Sequence, residues 1–528
     1  MSLGGSQWYR TVVPVCLRAT GLSLVLLAAA LVGTVPVAGG SAHPVAPVLL
    51  AASPEAPAAG SPARTPLVLV TGFRNYGLTA ISTRSLALRL AGGSVIVPCD
   101  ATTAVAAALT VTPAGWAPCL PATRITATLT PTSRMIGLLP PGLVGPGVKV
   151  VPLDGADLFG ESRARARVYP LAILAPPAWP AAWIQYDPGD VRVVVSTGVN
   201  CPDRGVARMT NVLGRGWSWL ADAGSARYTG RRWDDRFGWW VVDAVRTGHL
   251  GALRSLIAEA DIAISDFECP MTARFTYHAH GTVFTIDPRI APLMKEMGFD
   301  VVTLGSDHMT NAGLDGVVET VRFFDQQGIA HVGAGATLAA ALRPAVVTVR
   351  GLRFGFVGWN GAGGSAAATA RSPGTAPLTS VTIRSAISAA RKVSDVVIAL
   401  PQWSTREYVA AFTPEQLAWR DAMFAAGADH VIGADNHWAG ALSITPGGAS
   451  GNRLAVASQG NFWFGQDWSR QTEEGVITMA TFVGPRLAQV RLVPTVILDN
   501  AQPNLTDPAT DGRFVLAQVL GASVLQAR

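Results

Sequence analysis

The chain has 528 residues, 49% of them apolar and only 14% charged, with a formal charge of +6. That length exceeds one ordinary core and calls for two domains or more, and the apolar content excludes a disordered chain. The positive charge is nearly all arginine, scattered singly apart from Arg231-Arg232 and Arg391-Lys392, which argues against a nucleic-acid stripe. It fits weak attraction to an anionic polymer, and equally a solvated surface.

At the N-terminus, Arg10 and Arg18 precede an apolar run from Leu22 to Val37, followed by small residues up to Ala42. This is the pattern of an export signal; left uncleaved, it would associate the chain with a membrane. Residues 1–42 are therefore expected to be a signal peptide or N-terminal anchor, and the protein extracytoplasmic. Residues 43–65, rich in Ala, Pro and Ser, read as a linker. Residues 66–175 read as a small mixed domain, with β runs at Leu67–Val70, Ser94–Val97 and Val148–Pro152 between Thr-, Gly- and Pro-rich turns. In an oxidising compartment Cys99 and Cys119, flanking one short segment, are the expected disulfide pair. Residues 176–216, which include the β run Val193–Val195, read as a bridge.

From Trp217 onward, β runs alternate with helical segments, the pattern of an α/β fold. Strands are expected at Ile262–Ser265, Val301–Leu304, Ala345–Val349, Phe354–Gly358, Val396–Leu400, His430–Ile432, Leu454–Ser458 and Val476–Phe482. Helices are expected at Ile290–Met297, Leu314–Gln327 and Pro414–Ala426, each stopped by a glycine. This domain is expected over residues 217–505, with 506–528 as a C-terminal tail.

Polar residues gather just after these strands. Asp222 follows a Trp-rich run; Asp266 and Glu268, Asp307 and His308, Gln402 and Trp403, Asp435 and His437, and Asn461 follow the others. Each alone is an ordinary turn or cap residue. Together, carboxylates and imidazoles at several strand ends point to a one- or two-metal site that activates water against an ester or amide. His308 or His437 would then move the proton. His278 and His280 would share one face of a strand, or sit in an exposed loop. Trp403, Trp438, Trp463 and Trp468 would line a groove or fill the core.

Four blocks carry a resemblance. They are Asp261–Thr272, Gly298–Gly335 with Ser306-Asp-His308 and His331-Val-Gly-Ala-Gly335, Ala426–Gly433 with Asp435 and His437, and Gln459–Phe464. In this order they resemble the CapA type of capsule-synthesis protein, a family linked to poly-γ-glutamate and other envelope polymers. The resemblance implies a metallophosphatase-like fold, an α/β four-layer α-β-β-α sandwich, here with a separate N-terminal mixed α/β domain. It also implies an anionic envelope polymer such as poly-γ-glutamate as partner. Two functions are compatible with it: a metal-dependent hydrolase of phosphoesters or amides, and a non-catalytic polymer-binding or assembly protein. More loosely, Gly72–Asn75, Met135–Pro140, Val151–Gly155 and Tyr169–Leu171 resemble pieces of periplasmic solute-binding domains; a spacer domain is the alternative.

Against the family pattern, Asp222, Glu268, His308 and His437 are retained. Gln402, Ala434 and Asp435 stand at imidazole positions, and Asp266 and Asp307 at amide positions. These exchanges remove nitrogen ligands and add oxygen ligands. Carboxylates suit manganese, magnesium or calcium better than zinc. The expected ligands are Asp222, Glu268, Asp307, Asp435 and His437.

Overall fold

A computed structural model describes residues 64–160, 163, 168–235, 238–403 and 406–526. The expected leader, and all of the linker but its last two residues, lie outside the described residues. The organising element is the strand Val191–Asn200, buried along its whole length. Its run of valines has period two: Val193 and Val195 join the core under the outer helices, and Val194 joins the core between the sheets.

This strand is central in a ten-stranded sheet. On one side it pairs in parallel with Ile262–Phe267, followed by Val301–Thr303 and Ala330–Val332. On the other it pairs antiparallel with Glu474–Val483, and the sheet continues through Arg486–Leu498, Gln502–Thr506, Ser225–Asp234 and Trp239–Gly248. A second, seven-stranded sheet has a parallel centre of Leu352–Asn360, Val396–Gln402, His430–Ile432 and Asn452–Val456. Val194, Ile264 and Val301 of the first sheet share one core with Phe354, Phe356, Ile398 and Leu454 of the second. Ala252–Ala258, Ile290–Glu296 and Gly313–Gln327 cover the outer face of the first sheet through Leu253, Ile257, Met294 and Phe324. Ser380–Arg391 and Pro414–Ala426 cover the second through Ile383, Ile387 and Met423. The layers are therefore helix, sheet, sheet, helix, as the sequence implied.

The boundaries differ from those read in the sequence. The supposed bridge contains the central strand, because its Pro- and Trp-rich flanks disguise an unbroken β-branched run. The supposed tail belongs to the fold as well: Arg513–Gly521 buries Val515, Leu516 and Val519 in the shared core, and Val524–Leu525 pairs with Leu442–Pro446. The N-terminal segment has its own sheet, ordered Val95–Ile96, Ile136–Leu139, Val68–Gly72 and Val148–Val150, and largely its own core. It is not detached, and the described residues form one compact unit. Gln489 Oε1 accepts from the Val150 N–H at 3.2 Å, the Phe159 carbonyl accepts from Thr481 Oγ1 at 2.8 Å, and the Tyr76 hydroxyl accepts from the Leu492 N–H at 3.1 Å. Cys99 and Cys119 form the expected disulfide; a second, unanticipated one joins Cys201 to Cys269.

One core residue makes the fold acid-sensitive. His430 is buried, its Nδ1 accepts from the Leu454 N–H at 3.2 Å, and its ring meets Phe482 at 5.3 Å. Burial, chiefly, pushes its pKa down to about 4. A folded-state value below the unfolded one means that the stability from the neutral ring is fully present above about pH 6.5. It is lost as pH falls towards 4, by about 3 kcal/mol. Denaturant titrations at stepped pH should show this acid limb, flattened in His430→Gln. An unchanged limb in that variant would assign the effect elsewhere.

Candidate metal centre

The strand Ile262–Phe267 delivers Asp266 and Glu268 at its carboxyl end, and both are buried. Neither Asp266 oxygen nor Glu268 Oε2 has a hydrogen-bond partner. Next to it, Val301–Thr303 ends in Leu304-Gly305-Ser306-Asp307-His308. A Cβ at Gly305 would lie 2.6–2.9 Å from the Trp359 backbone, so only glycine lets this turn pass the second sheet. Gly305→Ala should cost about 2 kcal/mol by overpacking and shift Asp307, two residues on. Unchanged denaturation together with unchanged metal affinity would refute this.

Glu268, Asp307 and His308 each bring a ligand atom within 4.8 Å of the others. The strand Val396–Gln402 of the second sheet supplies Gln402, fully buried. Its Nε2 donates to Glu268 Oε1 at 3.2 Å and to Asp307 Oδ1 at 3.1 Å, while its Oε1 accepts from the Asp307 N–H at 2.6 Å. The amide thus spans two carboxylates and fixes the Asp307 backbone. Asp435 and His437 come from the loop after His430–Ile432 and are buried, with left-handed φ angles of 99° and 55°. Such angles in non-glycine residues are strained, and strain of this kind is held where function demands it.

Both imidazoles are oriented by asparagine oxygens. His308 Nδ1 lies 3.1 Å from Asn311 Oδ1, which also accepts from the Phe284 N–H, so Nδ1 is the donor. His437 Nδ1 lies 2.9 Å from Asn461 Oδ1, whose amide nitrogen donates to Gln466 and Thr472. His437 therefore keeps Nε2 as its acceptor, the tautomer a metal ligand or proton acceptor needs, while His308 turns its Nε2 to Asp307 Oδ2 at 3.5 Å. Burial holds His437 below the ordinary histidine range. Burial first, and Asp307 second, raise Asp266 to about 8 and Glu268 well above the carboxylate range; Asp266, Asp435 and Glu407 push Glu268 further. Several carboxylates sharing a largely buried site call for a cation. The donor set that fits a divalent ion is Glu268, Asp307 and His308, with Asp266 and Asp435 adding carboxylate charge beside Glu268.

Asp222 does not join this set. It is exposed and precedes Ser225–Asp234, five places across the sheet from Ile262–Phe267, or roughly 24 Å at the usual strand spacing. The strand beside Asp266 is Val191–Asn200, whose partner residue is the apolar Val199. The next carboxylate, Asp203, is engaged elsewhere: its Oδ2 lies 2.7 Å from His278 Nδ1. His278 and His280 are accordingly loop residues and not a ligand pair. Trp403 and Trp463 are core, whereas Trp438 and Trp468 pack on Tyr408, which stacks on His437 at 5.8 Å.

Sequence reasoning missed Arg204. Its guanidinium lies over Phe284, Phe464 and Trp468 at 4.8, 5.3 and 5.8 Å, and Phe284 in turn packs edge-on against His308. With Arg208, His280, Asp467 and Asp499 it lines a cavity of about 460 Å³. Arg204 sits far from the other site residues in sequence, and only its Asp203 neighbour gives a local signal. Asn311 is visible in hindsight as the third residue after His308.

Residues 241–466 match the family described as bacterial capsule synthesis protein PGA_cap. Over these residues the chain is similar to the CapA type of capsule-synthesis protein. Over 189 residues the chain is 29% identical to the capsule biosynthesis protein CapA of Bacillus anthracis, covering 35% of this chain and 44% of that protein. Over 222 residues it is 26% identical to the PGA biosynthesis protein CapA of Bacillus subtilis, covering 41% and 57%. The chain thus spans about half the length of these curated relatives. Among solved structures, a hypothetical protein of Thermus thermophilus aligns at 13% identity and TM-score 0.33, covering 57% of this chain and 98% of that one. A 5'-nucleotidase precursor of the same organism aligns at 14% and 0.34, covering 62% and 58%. The CapA-type match spans the carboxylates, Gln402, both imidazoles and Asn461, but stops short of the central strand and of the last strands of the large sheet.

Proposed function

We propose that this chain is an exported CapA-like protein that acts in the synthesis or handling of an anionic envelope polymer, of which poly-γ-glutamate is the model. The observation that carries this is the cluster of Glu268, Asp307 and His308, with the buried Asp266 beside it and three oxygens of Asp266 and Glu268 left without hydrogen bonds. We read it as a site for one divalent ion of the Mn, Mg or Ca kind. When bound, the ion supplies Lewis acidity towards a carbonyl or phosphoryl oxygen. The chain's own residues do the rest. His437 presents Nε2 for proton transfer, Arg204 holds an anionic group of the polymer, and Phe284, Phe464 and Trp468 exclude water around it. The two disulfides support an oxidising, extracytoplasmic setting.

A second reading is a polymer-binding protein without turnover, favoured by Gln402, whose amide already bridges Glu268 and Asp307. Chain-length analysis of poly-γ-glutamate incubated with the protein and each metal separates the two. Metal-dependent shortening that is lost in His437→Ala supports the hydrolase. Binding without shortening supports the second reading. Calorimetry of the metal-stripped protein should give at most one tight ion, and tight zinc at two sites would sink the one-ion assignment.

A further inference from the structure

Far from the carboxylates in sequence, the N-terminal sheet and its first helix carry a second charged cavity. It is lined by Arg74, Arg89 and Arg134 with Asn75 and Thr132, has a volume of about 540 Å³, and has no carboxylate in its wall. Arg74 follows the strand Val68–Gly72, Arg89 lies in the last turn of the helix Thr83–Ala91, and Arg134 precedes Ile136–Leu139. The topology thus gathers three guanidinium groups from three elements. Among the described residues none of the three makes an ion pair. Arg74 donates to the Ser523 carbonyl at 3.3 Å, while its Nε is buried without an acceptor. Three like charges around one hollow repel one another, and a buried donor without a partner is costly. Both penalties are relieved by the same occupant, an anion bearing paired oxygens that match the guanidinium fork.

We infer that this cavity is a second anchoring site for the acidic polymer, taking successive carboxylates of one chain segment. The volume lies in the range of about 300–1,000 Å³ that houses ligands of several linked groups, well beyond a single ion. Arg134 and Thr132 are exposed at its rim, so a bound chain can run out of it in either direction. The choice of ligand rests on the polymer reading above; the arginine geometry does not. Two sites on one compact unit would raise affinity for a long chain over a short one by effective concentration.

The test is binding of a fluorescent poly-γ-glutamate oligomer to the full chain at low and high salt, with inorganic phosphate as competitor. The proteins are wild type, the double variant Arg89→Gln/Arg134→Gln, and Glu268→Gln. Among the described residues Arg89 and Arg134 make no side-chain hydrogen bond, so the double variant should melt like wild type. It should bind the oligomer more weakly by on the order of tenfold or more, with a reduced salt dependence. Glu268→Gln should retain this part of the binding. Equal oligomer affinity in wild type and double variant overturns the inference and leaves the polymer reading standing. A wild-type chain that binds phosphate through these arginines but no oligomer overturns the polymer reading and, with it, this ligand.

Discussion

Replacing Glu268 with glutamine is expected to abolish divalent-metal binding and also to make the metal-free protein more stable. The carboxylate is only 1% exposed, its Oε2 has no partner, and burial together with Asp307, Asp266, Asp435 and Glu407 holds its pKa well above the ordinary range. Each of those neighbours opposes its charge, and no bonded cation offsets them. With its pKa raised, the metal-free carboxyl must take up a proton on folding near neutral pH, a cost that an isosteric amide avoids while still accepting the Gln402 hydrogen bond. The opposite sign should appear with metal: at a hundredfold excess over Kd, the wild-type chain gains about 2.7 kcal/mol and the variant nothing. Thermal melts with and without chelator, and then with manganese, measure both effects. A variant that still rises with manganese, or that melts below wild type in chelator, removes Glu268 from the centre.

Breaking the Cys201–Cys269 bridge should be the most damaging surgical change outside the ligands. It closes a loop of 68 residues, which in the chain-entropy account is worth about 4 kcal/mol. Its position adds to this. Cys201 follows the central strand, Cys269 follows Glu268, and both are fully buried. The bridge therefore ties the two strands whose carboxyl ends frame the carboxylates. Cys201→Ala with Cys269→Ala should lose that stability and also weaken manganese binding. The matching change at Cys99 and Cys119, which closes 20 residues, should cost about 3 kcal/mol and leave metal affinity alone. Equal metal affinity in both double variants would show that the inner bridge does not position the site.

Much of the layered fold was legible because its parallel strands are buried on both faces and appear as short β-branched runs stopped by glycine. The carboxylates after Ile262–Phe267 and Val301–Thr303 were legible for the same reason, since a strand end locates them. Asp222 was misplaced because a Trp-rich run before an acid looks like a strand end; nothing in the sequence reveals that its strand lies across the sheet. The Cys201–Cys269 bridge was invisible because it depends on two strands becoming neighbours. The strands Ser225–Asp234 and Trp239–Gly248 were missed because the first mixes arginine with small polar residues and the second offers only the short run Trp239-Trp-Val-Val242 before an acid. Gln402 was noticed as a lost imidazole, but its bridge between Glu268 and Asp307 needed the second sheet in place.

The central strand has a consequence for how the chain acquires its shape. Ser196 pairs with Thr478, and Thr495 beyond that pairs with Leu505, so the middle of the large sheet is completed by residues made almost last. Contacts so distant along the chain form slowly, because the intervening loop must close before they are rewarded. Synthesis runs from the N-terminus, so the valine-rich strand has to wait, unsatisfied on one edge, until the C-terminal segment arrives. The order of strands in this sheet therefore makes arrival of the C-terminal segment the step that completes the core between the sheets.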